Sequence, residues 1–343
     1  MKPLITLFAG ALAAGLAVSV TAAQAQTTDQ TQGQTLTVYT YSSFVSEWGP
    51  GPRVKVAFEA QCGCTLDFVG LDTSAGLINR LRLEGARAKA DVVLGLDTNT
   101  MAEARATGLL APHEIDLSGL ALPIAWDDDV FVPFDYGYFA FVYDKTRLAR
   151  PPASLAELVD GAGDIKVIIE DPRTSTPGLG LLLWMRAVYG DGAGDAWARL
   201  KRRVLTVTKG WSEAYGMFLK GEAPLVLSYT TSSAYHAMIE NDHRYAAAMF
   251  SEGHALQIEL AARLASAPHP ALARRFLAFV VSPAFQAAIP TGNWMYPVIA
   301  LPGGLPPAFA ALPRPTRSLL IDPEVVAANR KRWIDDWLEA MSR

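Results

Sequence analysis

Two hydroxyl pairs, Thr73-Ser74 and Ser175-Thr176, have the residue types and placement to do chemistry. Each follows an apolar run and precedes a helical pattern, so each marks a strand, a polar turn and a helix start. The first turn of a helix leaves backbone N–H groups without intrahelical partners, and these hold an anion without the help of a lysine. For either pair alone, ordinary N-capping is the simpler account, because Ser and Thr are preferred caps. Two of them at strand carboxyl ends, in what read as opposite lobes, would offer several donors to a phosphate or hydroxyl group. Gly178 and Gly180 allow close approach, but Gly-Leu-Gly has the spacing of neither a dinucleotide fingerprint nor a Walker loop.

Six aromatics fall at turns beside polar residues: Tyr41, Trp211, Tyr229, Tyr235, Trp294 and Tyr296. A lone aromatic of this kind belongs to a core. Six fit better as the walls of a cleft that stacks a flat or cationic ring, each contact contributing on the order of 0.5–2 kcal/mol. Asp72, Asp97, Asp135 and Asp171 lie near strand or hinge ends; most read as caps or solvated groups, with one or two left to counter a positive charge. Nucleophile chemistry is weakly supported. Gly210-Trp-Ser-Glu-Ala214 lacks the final glycine of a nucleophile elbow, and the five histidines form no His-Glu-x-x-His pair. His254, close to Glu252, reads as a surface loop. Cys62 and Cys64 flank Gly63, and a strained bridge and two thiols in a strand are equally compatible with that spacing. A metal site is disfavoured, since no histidine has matching spacing.

The elements that must carry these residues repeat one grammar. Leu36–Tyr41, Thr65–Val69 and Ala90–Leu96 read as strands, with helices over Leu77–Glu84 and Met101–Leu110. The long aromatic segment Pro133–Tyr143 is suited to carry the chain from one lobe to another. Strands at Lys166–Ile169 and Pro224–Ser228 follow, with helices over Leu179–Tyr189 and Ala234–Ile239. Ala255–Leu260 reads as a strand returning to the first lobe, and Asp322-Pro323 opens a terminal helix. Alternating strands and helices with polar strand ends indicate open, mostly parallel sheets that bind ligands beyond their carboxyl edges.

The chain has 343 residues and a net charge of −4, enough for two domains. With no Lys/Arg cluster it lacks the basic face that nucleic acid requires. Lys2, the apolar run from about Leu4 to Val20 and the small-x-small pattern Ala23-Gln24-Ala25 read as a cleavable signal peptide over residues 1–25. No cysteine stands at the cleavage point to carry a lipid anchor. The expectation is a soluble protein exported to a bacterial periplasm.

Five blocks carry a resemblance: Leu36–Tyr41 with Trp48–Pro52, Pro133–Lys145, Asp171–Trp184, Thr208–Gly216 and Pro290–Pro297. Together they resemble the periplasmic thiamine-binding proteins of bacterial ABC importers, from about Leu36 to Arg343. The resemblance implies an α/β, two-lobed periplasmic binding protein fold of type II, with mixed, mostly parallel sheets flanked by helices and two hinge crossings. Residues 35–132 and 249–310 would form the first lobe and 133–248 the second; the helical segment 311–343 is left unassigned. It also implies a monomeric, non-enzymatic protein without cofactor that captures thiamine, with its mono- and diphosphate, for a membrane permease. Carried over by position, ligand contacts fall on Thr73 and Ser74, Ser175 and Thr176, Trp211, and Tyr229, Thr230, Thr231 and Ser232. Tyr41, Tyr235 and Trp294 match further aromatic wall positions. The family turn has Asp-Gly where this chain has Thr73-Ser74, which removes a charge and a glycine. Rival readings are an iron- or polyamine-binding periplasmic protein or, from another class, an exported hydrolase using Ser212.

Overall fold

The structure, a computed structural model, describes residues 32–342. The segment expected to be a signal peptide, 1–25, lies outside the described residues. In the first half of the chain, β1 (Thr35–Tyr41) pairs in parallel with β2 (Thr65–Leu71) and β3 (Val92–Asp97). Helices α1 (Gly51–Cys62) and α2 (Ser74–Glu84) make the crossovers. The chain then enters β4 (Val132–Asp144), a strand of 13 residues. Beyond it, β5 (Val167–Glu170) pairs in parallel with β6 (Val204–Thr208) and β7 (Leu225–Tyr229). Between these run α3 (Thr176–Tyr189), α4 (Ala193–Leu200) and α5 (Trp211–Leu219). β8 (Tyr245–Ala248) and β9 (His254–Leu264) precede α6 (Pro270–Val280), and the chain closes with α7 (Pro323–Ser342).

The strand order is β2-β1-β3-β9-β4-β7-β5-β6, and its middle is the hinge. The first part of β4, Val132 to Tyr138, pairs with β9 on the first sheet; the second part, Phe139 to Tyr143, pairs with β7 on the second. β9 lies antiparallel to both β3 and β4, so it is the second crossing. Each sheet is covered on both faces, the arrangement that parallel strands need. Phe44, Phe58, Phe276 and Phe285 fill one face of the first sheet, and Tyr39, Leu77, Phe131 and Ile258 the other. In the second lobe Phe141, Leu182, Trp184 and Trp197 form the larger core, while Ile168, Tyr215, Phe218 and Val226 form the smaller. Helix α3 lies directly on β4: a Cβ at Gly180 would come within 2.1 Å of the Phe139 ring.

Several expectations change in detail. The terminal helix α7 adds Val326, Trp333 and Trp337 to the core of the second lobe, and Arg186 bonds Asp336 there. Its Arg330 also reaches Glu103 in the first lobe. The helix expected over Met101–Leu110 stops at Arg105, because Gly108 turns left-handed with φ +66° and Leu110–Ala111 pairs with β9. The expected helix over Ala234–Ile239 is a short α turn, Ser232–Tyr235, widening into a π turn over His236–Glu240. Cys62 and Cys64 form a disulfide at the end of α1. His254 is not in a surface loop: it is fully buried at the start of β9. Its Nδ1 donates to the Phe139 carbonyl and its Nε2 accepts from the Phe250 N–H, so it locks the crossing as a neutral ring; burial lowers its pKa.

Candidate functional site

The carboxyl ends of the strands in both lobes face one cavity of about 620 Å³, within the size range of small-molecule sites. The first lobe contributes Tyr41, at the end of β1, and Thr73, between β2 and α2. The second contributes Ser175 and Thr176 at the start of α3, Trp211 at the start of α5, and Tyr229, Ser232 and Tyr235 after β7. Trp294 closes the cavity from the segment that follows α6. These nine expected residues are thus brought together from both sides of the hinge.

Four other expected residues stand differently, and the first of them, Tyr296, is fully buried against Phe309 and off the cavity wall. Thr230 and Thr231 are fully buried behind the turn and are not on the cavity wall. The Thr230 N–H instead donates to the Tyr138 carbonyl, tying the turn to the hinge strand. Ser74 opens α2, but its side chain lies outside the described residues. Both hydroxyl pairs do cap their helices: Thr73 Oγ1 accepts from the Gly76 N–H at 3.3 Å, and Ser175 Oγ from the Gly178 N–H at 3.5 Å. A cap satisfies only one or two of the four free N–H groups of a first turn. Capping and an anion seat are therefore compatible at both positions.

The aromatic wall of the second lobe is held by its own neighbours. Trp211 Nε1 donates to Ser228 Oγ at 2.7 Å, and its ring stacks on Tyr215 with centroids 5.0 Å apart. Ser232 Oγ lies 2.8 Å from Ser228 Oγ and accepts from the Tyr229 N–H, so the hydroxyls after β7 brace the indole. Tyr235 meets Trp294 edge to face at 5.1 Å, and Trp294 in turn stacks on Phe309. Trp294 adopts a left-handed backbone with φ +56°, a conformation that costs energy in a bulky residue. Trp48, over half exposed, stands at the rim of the same cavity.

The floor adds Glu259 and Asn293, which sequence reasoning missed, to Asp135, one of the aspartates it named as able to counter a positive charge. Glu259, from β9, lines the cavity and accepts from Tyr41 O–H at 2.7 Å and from Gln257 Nε2 at 3.0 Å. Asn293 Nδ2 donates to Asp135 Oδ2, to Tyr41 Oη and to Glu259 Oε2. Burial, then the neighbouring Glu259 charge, holds the Asp135 carboxyl well above the usual range. Burial pushes Glu259 up to about 7, with Asp97 adding to the rise. Tyr41 and Tyr229 are likewise raised by burial and by these carboxylates. For Glu259 the signal was present in the chain: a Glu inside the apolar run Ala255–Leu260 is a charged residue where a strand is buried on both faces. Of the other acids, Asp97 caps its own turn through Asn99 and Thr100, and Asp171 pairs with Arg173. Among the described residues no three His, Cys, Asp or Glu side chains are placed to hold a metal ion.

Comparison with known proteins bears on this cleft. Residues 54–301 match the family described as bacterial extracellular solute-binding protein. The thiamine-binding periplasmic protein of Escherichia coli K12 is 59% identical over 310 residues, covering 90% of this chain and 94% of that protein. The protein of the same name from Brucella melitensis is 56% identical over 308 residues, covering 90% and 92%. Among solved structures, a periplasmic thiamin binding protein superposes with a TM-score of 0.88 at 58% identity, covering 91% of this chain and 97% of that one. Iron-bound HitA from Pseudomonas aeruginosa, at 21% identity, has a TM-score of 0.72 with 89% and 99% covered. That last likeness shows the two-lobed periplasmic binding protein fold and nothing further.

Proposed function

The chain belongs to the bacterial extracellular solute-binding protein family, and from that premise we propose that it captures thiamine in the periplasm and hands it to the permease of an ABC importer. As a solute-binding protein it works by capture and release and performs no chemistry on its ligand. One observation carries the reading: a single cavity between two lobes joins aromatic faces to two helix starts. Trp211, Tyr235 and Trp294 offer ring faces for the pyrimidine and the thiazolium cation. The first turns of α2 and α3, with Thr73, Ser175 and Thr176, offer donors to the hydroxyethyl end or its phosphate. On this reading thiamine monophosphate and diphosphate are also ligands, and the backbone at Thr73-Ser74 takes over from the family's Asp-Gly. Residues 1–25 direct export, the protein acts as a monomer, and closure of residues 133–248 on 35–132 and 249–310 encloses the ligand.

Isothermal titration of the mature protein with thiamine tests the reading. A dissociation constant at or below about 1 μM is expected, equivalent to about −8 kcal/mol. Affinity weaker than this by a hundredfold would remove thiamine as the ligand. Competition by the two phosphates then ranks the esters against the free vitamin.

A further inference from the structure

Three carboxyl groups meet in register beneath the cavity. Across β3, β9 and β4, Asp97 lies opposite Glu259 and Glu259 opposite Asp135. Their exposures are 2%, 7% and 0%. Glu259 faces the cavity, and Asp135 Oδ1 has no hydrogen-bond partner among the described residues. Farther into the second lobe Glu170 is also buried, with neither oxygen partnered among the described residues, and its charge acts on Tyr229. Tyr229 O–H in turn donates to Gln257, the residue that donates to Glu259.

The groups facing Glu259 supply hydrogen bonds but no positive charge. They are the Tyr41 phenol from β1, Asp97 from β3, Asp135 from β4, Gln257 beside it on β9, Tyr229 from β7 through Gln257, and Asn293 from the segment after α6. Arg330 acts only on Asp97 within this row. Among the described residues, no Lys or Arg forms an ion pair with Asp135 or Glu259. A buried carboxylate without a cation is costly and takes up a proton instead. The neutral donors here can support one negative charge, and Asp135, the more deeply buried of the two and the one away from the cavity, is the better place for the remaining proton.

We propose that Glu259, backed by Asp135, is the counter-charge for the positively charged ring of the ligand, and that the cation displaces a proton from this pair when it binds. The inference rests on the thiamine reading above and adds to it a residue pair that selects for charge. The O–H bond of a carboxyl breaks, the proton passes to solvent buffer, and the carboxylate left behind faces the quaternary nitrogen of the thiazolium. In the ligand-free protein the native state holds this proton over a pH range in which the unfolded chain has lost it. That group's contribution to stability therefore falls as pH rises from about 4.5 to about 7. A bound cation reverses the loss, so the gain in stability on adding thiamine grows with pH over the same window.

Titration calorimetry of the mature protein with thiamine, in two buffers of different ionisation enthalpy, counts the protons. Release approaching one proton per thiamine is expected at about pH 6, fading above about pH 8. Affinity should rise by up to about tenfold per pH unit below about 7 and level off above it. Glu259→Gln should bind about 30-fold more weakly at pH 8 and release no proton. Asp135→Asn, which removes the second acid, should move the midpoint of the affinity profile to lower pH. Thiamine binding with no proton release and no pH dependence overturns the inference but leaves the ligand reading intact. Retention of both affinity and proton release in Glu259→Gln overturns it as well. No binding at any pH removes the ligand reading and this inference with it.

Discussion

The wall of the second lobe and the floor at the hinge are built from opposite materials. On the wall, Trp211, Tyr215, Ser228 and Ser232 lie close in sequence and are held by neutral hydrogen bonds and ring stacking. On the floor, Tyr41, Asp135, Glu259 and Asn293 come from four distant segments and carry ionisable carboxyls. A stacked wall attracts any flat ring, and its strength does not depend on pH. A carboxyl floor distinguishes charged from neutral rings, and its strength depends on protonation. Affinity and selectivity are thereby assigned to different regions of one cavity.

The largest effect belongs to the wall. Trp211→Ala removes a ring face, the stack on Tyr215 and the bond to Ser228 together. Loss of such an anchor should weaken thiamine binding by about 2–3 kcal/mol. Calorimetry at pH 6 and at pH 8 should give the same loss, because the groups that touch the indole, the Ser228 hydroxyl and the Tyr215 phenol that burial keeps neutral, do not change charge between them. A loss that changes tenfold between the two would erase the distinction between wall and floor.

The same contrast explains what could be read from the chain. Ser175, Thr176 and Trp211 were legible because a cap or a helix start is a local signal, written in a few consecutive residues. The hinge strand β4 was legible through its length and aromatic content, and the lobes through the alternation of strand and helix. Glu259 was not, since its partner Tyr41 is 218 residues away and Asn293 lies 158 residues from Asp135. Periodicity shows that a strand is buried but not which strand will lie beside it. Thr230 and Thr231 illustrate the reverse failure. Their hydroxyls resemble a donor turn in the sequence, yet the turn folds them inward and leaves Tyr229, Ser232 and Tyr235 on the wall. His254 misled for a similar reason: its neighbours Glu252 and Gly253 are turn residues, but the ring itself bonds across the hinge.

A second test acts on the floor without touching a carboxyl. Gly95 in β3 has φ +112°, and a Cβ there would lie 2.4 Å from the Tyr41 ring. Gly95→Ala therefore strains the backbone and pushes Tyr41 away from Glu259. A stability loss of about 2 kcal/mol is expected, read from the urea midpoint of the ligand-free protein. Thiamine affinity should fall with it, and more at pH 6 than at pH 8, because Glu259 loses a donor that favours its charged form. Unchanged stability would mean that Tyr41 shifts freely, and a floor so easily rearranged could not set selectivity.

The smallest expected effect lies at the mouth, where an exposed ion pair joins the two lobes. Lys209 Nζ, in the turn after β6, stands 3.6 Å from Asp72 Oδ2, in the turn after β2. Their side chains are 68% and 89% exposed, so the attraction is screened and should contribute about 0.5 kcal/mol or less. Because the pair bridges lobes, its contribution belongs to closure and should appear in ligand affinity, with little change in the stability of either lobe. Asp72→Asn should thus weaken thiamine binding by about twofold in low salt, and by nothing measurable at about 0.5 M NaCl, where the Debye length falls to about 4 Å. An effect of tenfold that persisted in high salt would require a desolvated contact between Asp72 and the cation itself. Charge discrimination would then reside at the mouth, and the carboxyl floor would be left with a structural role alone.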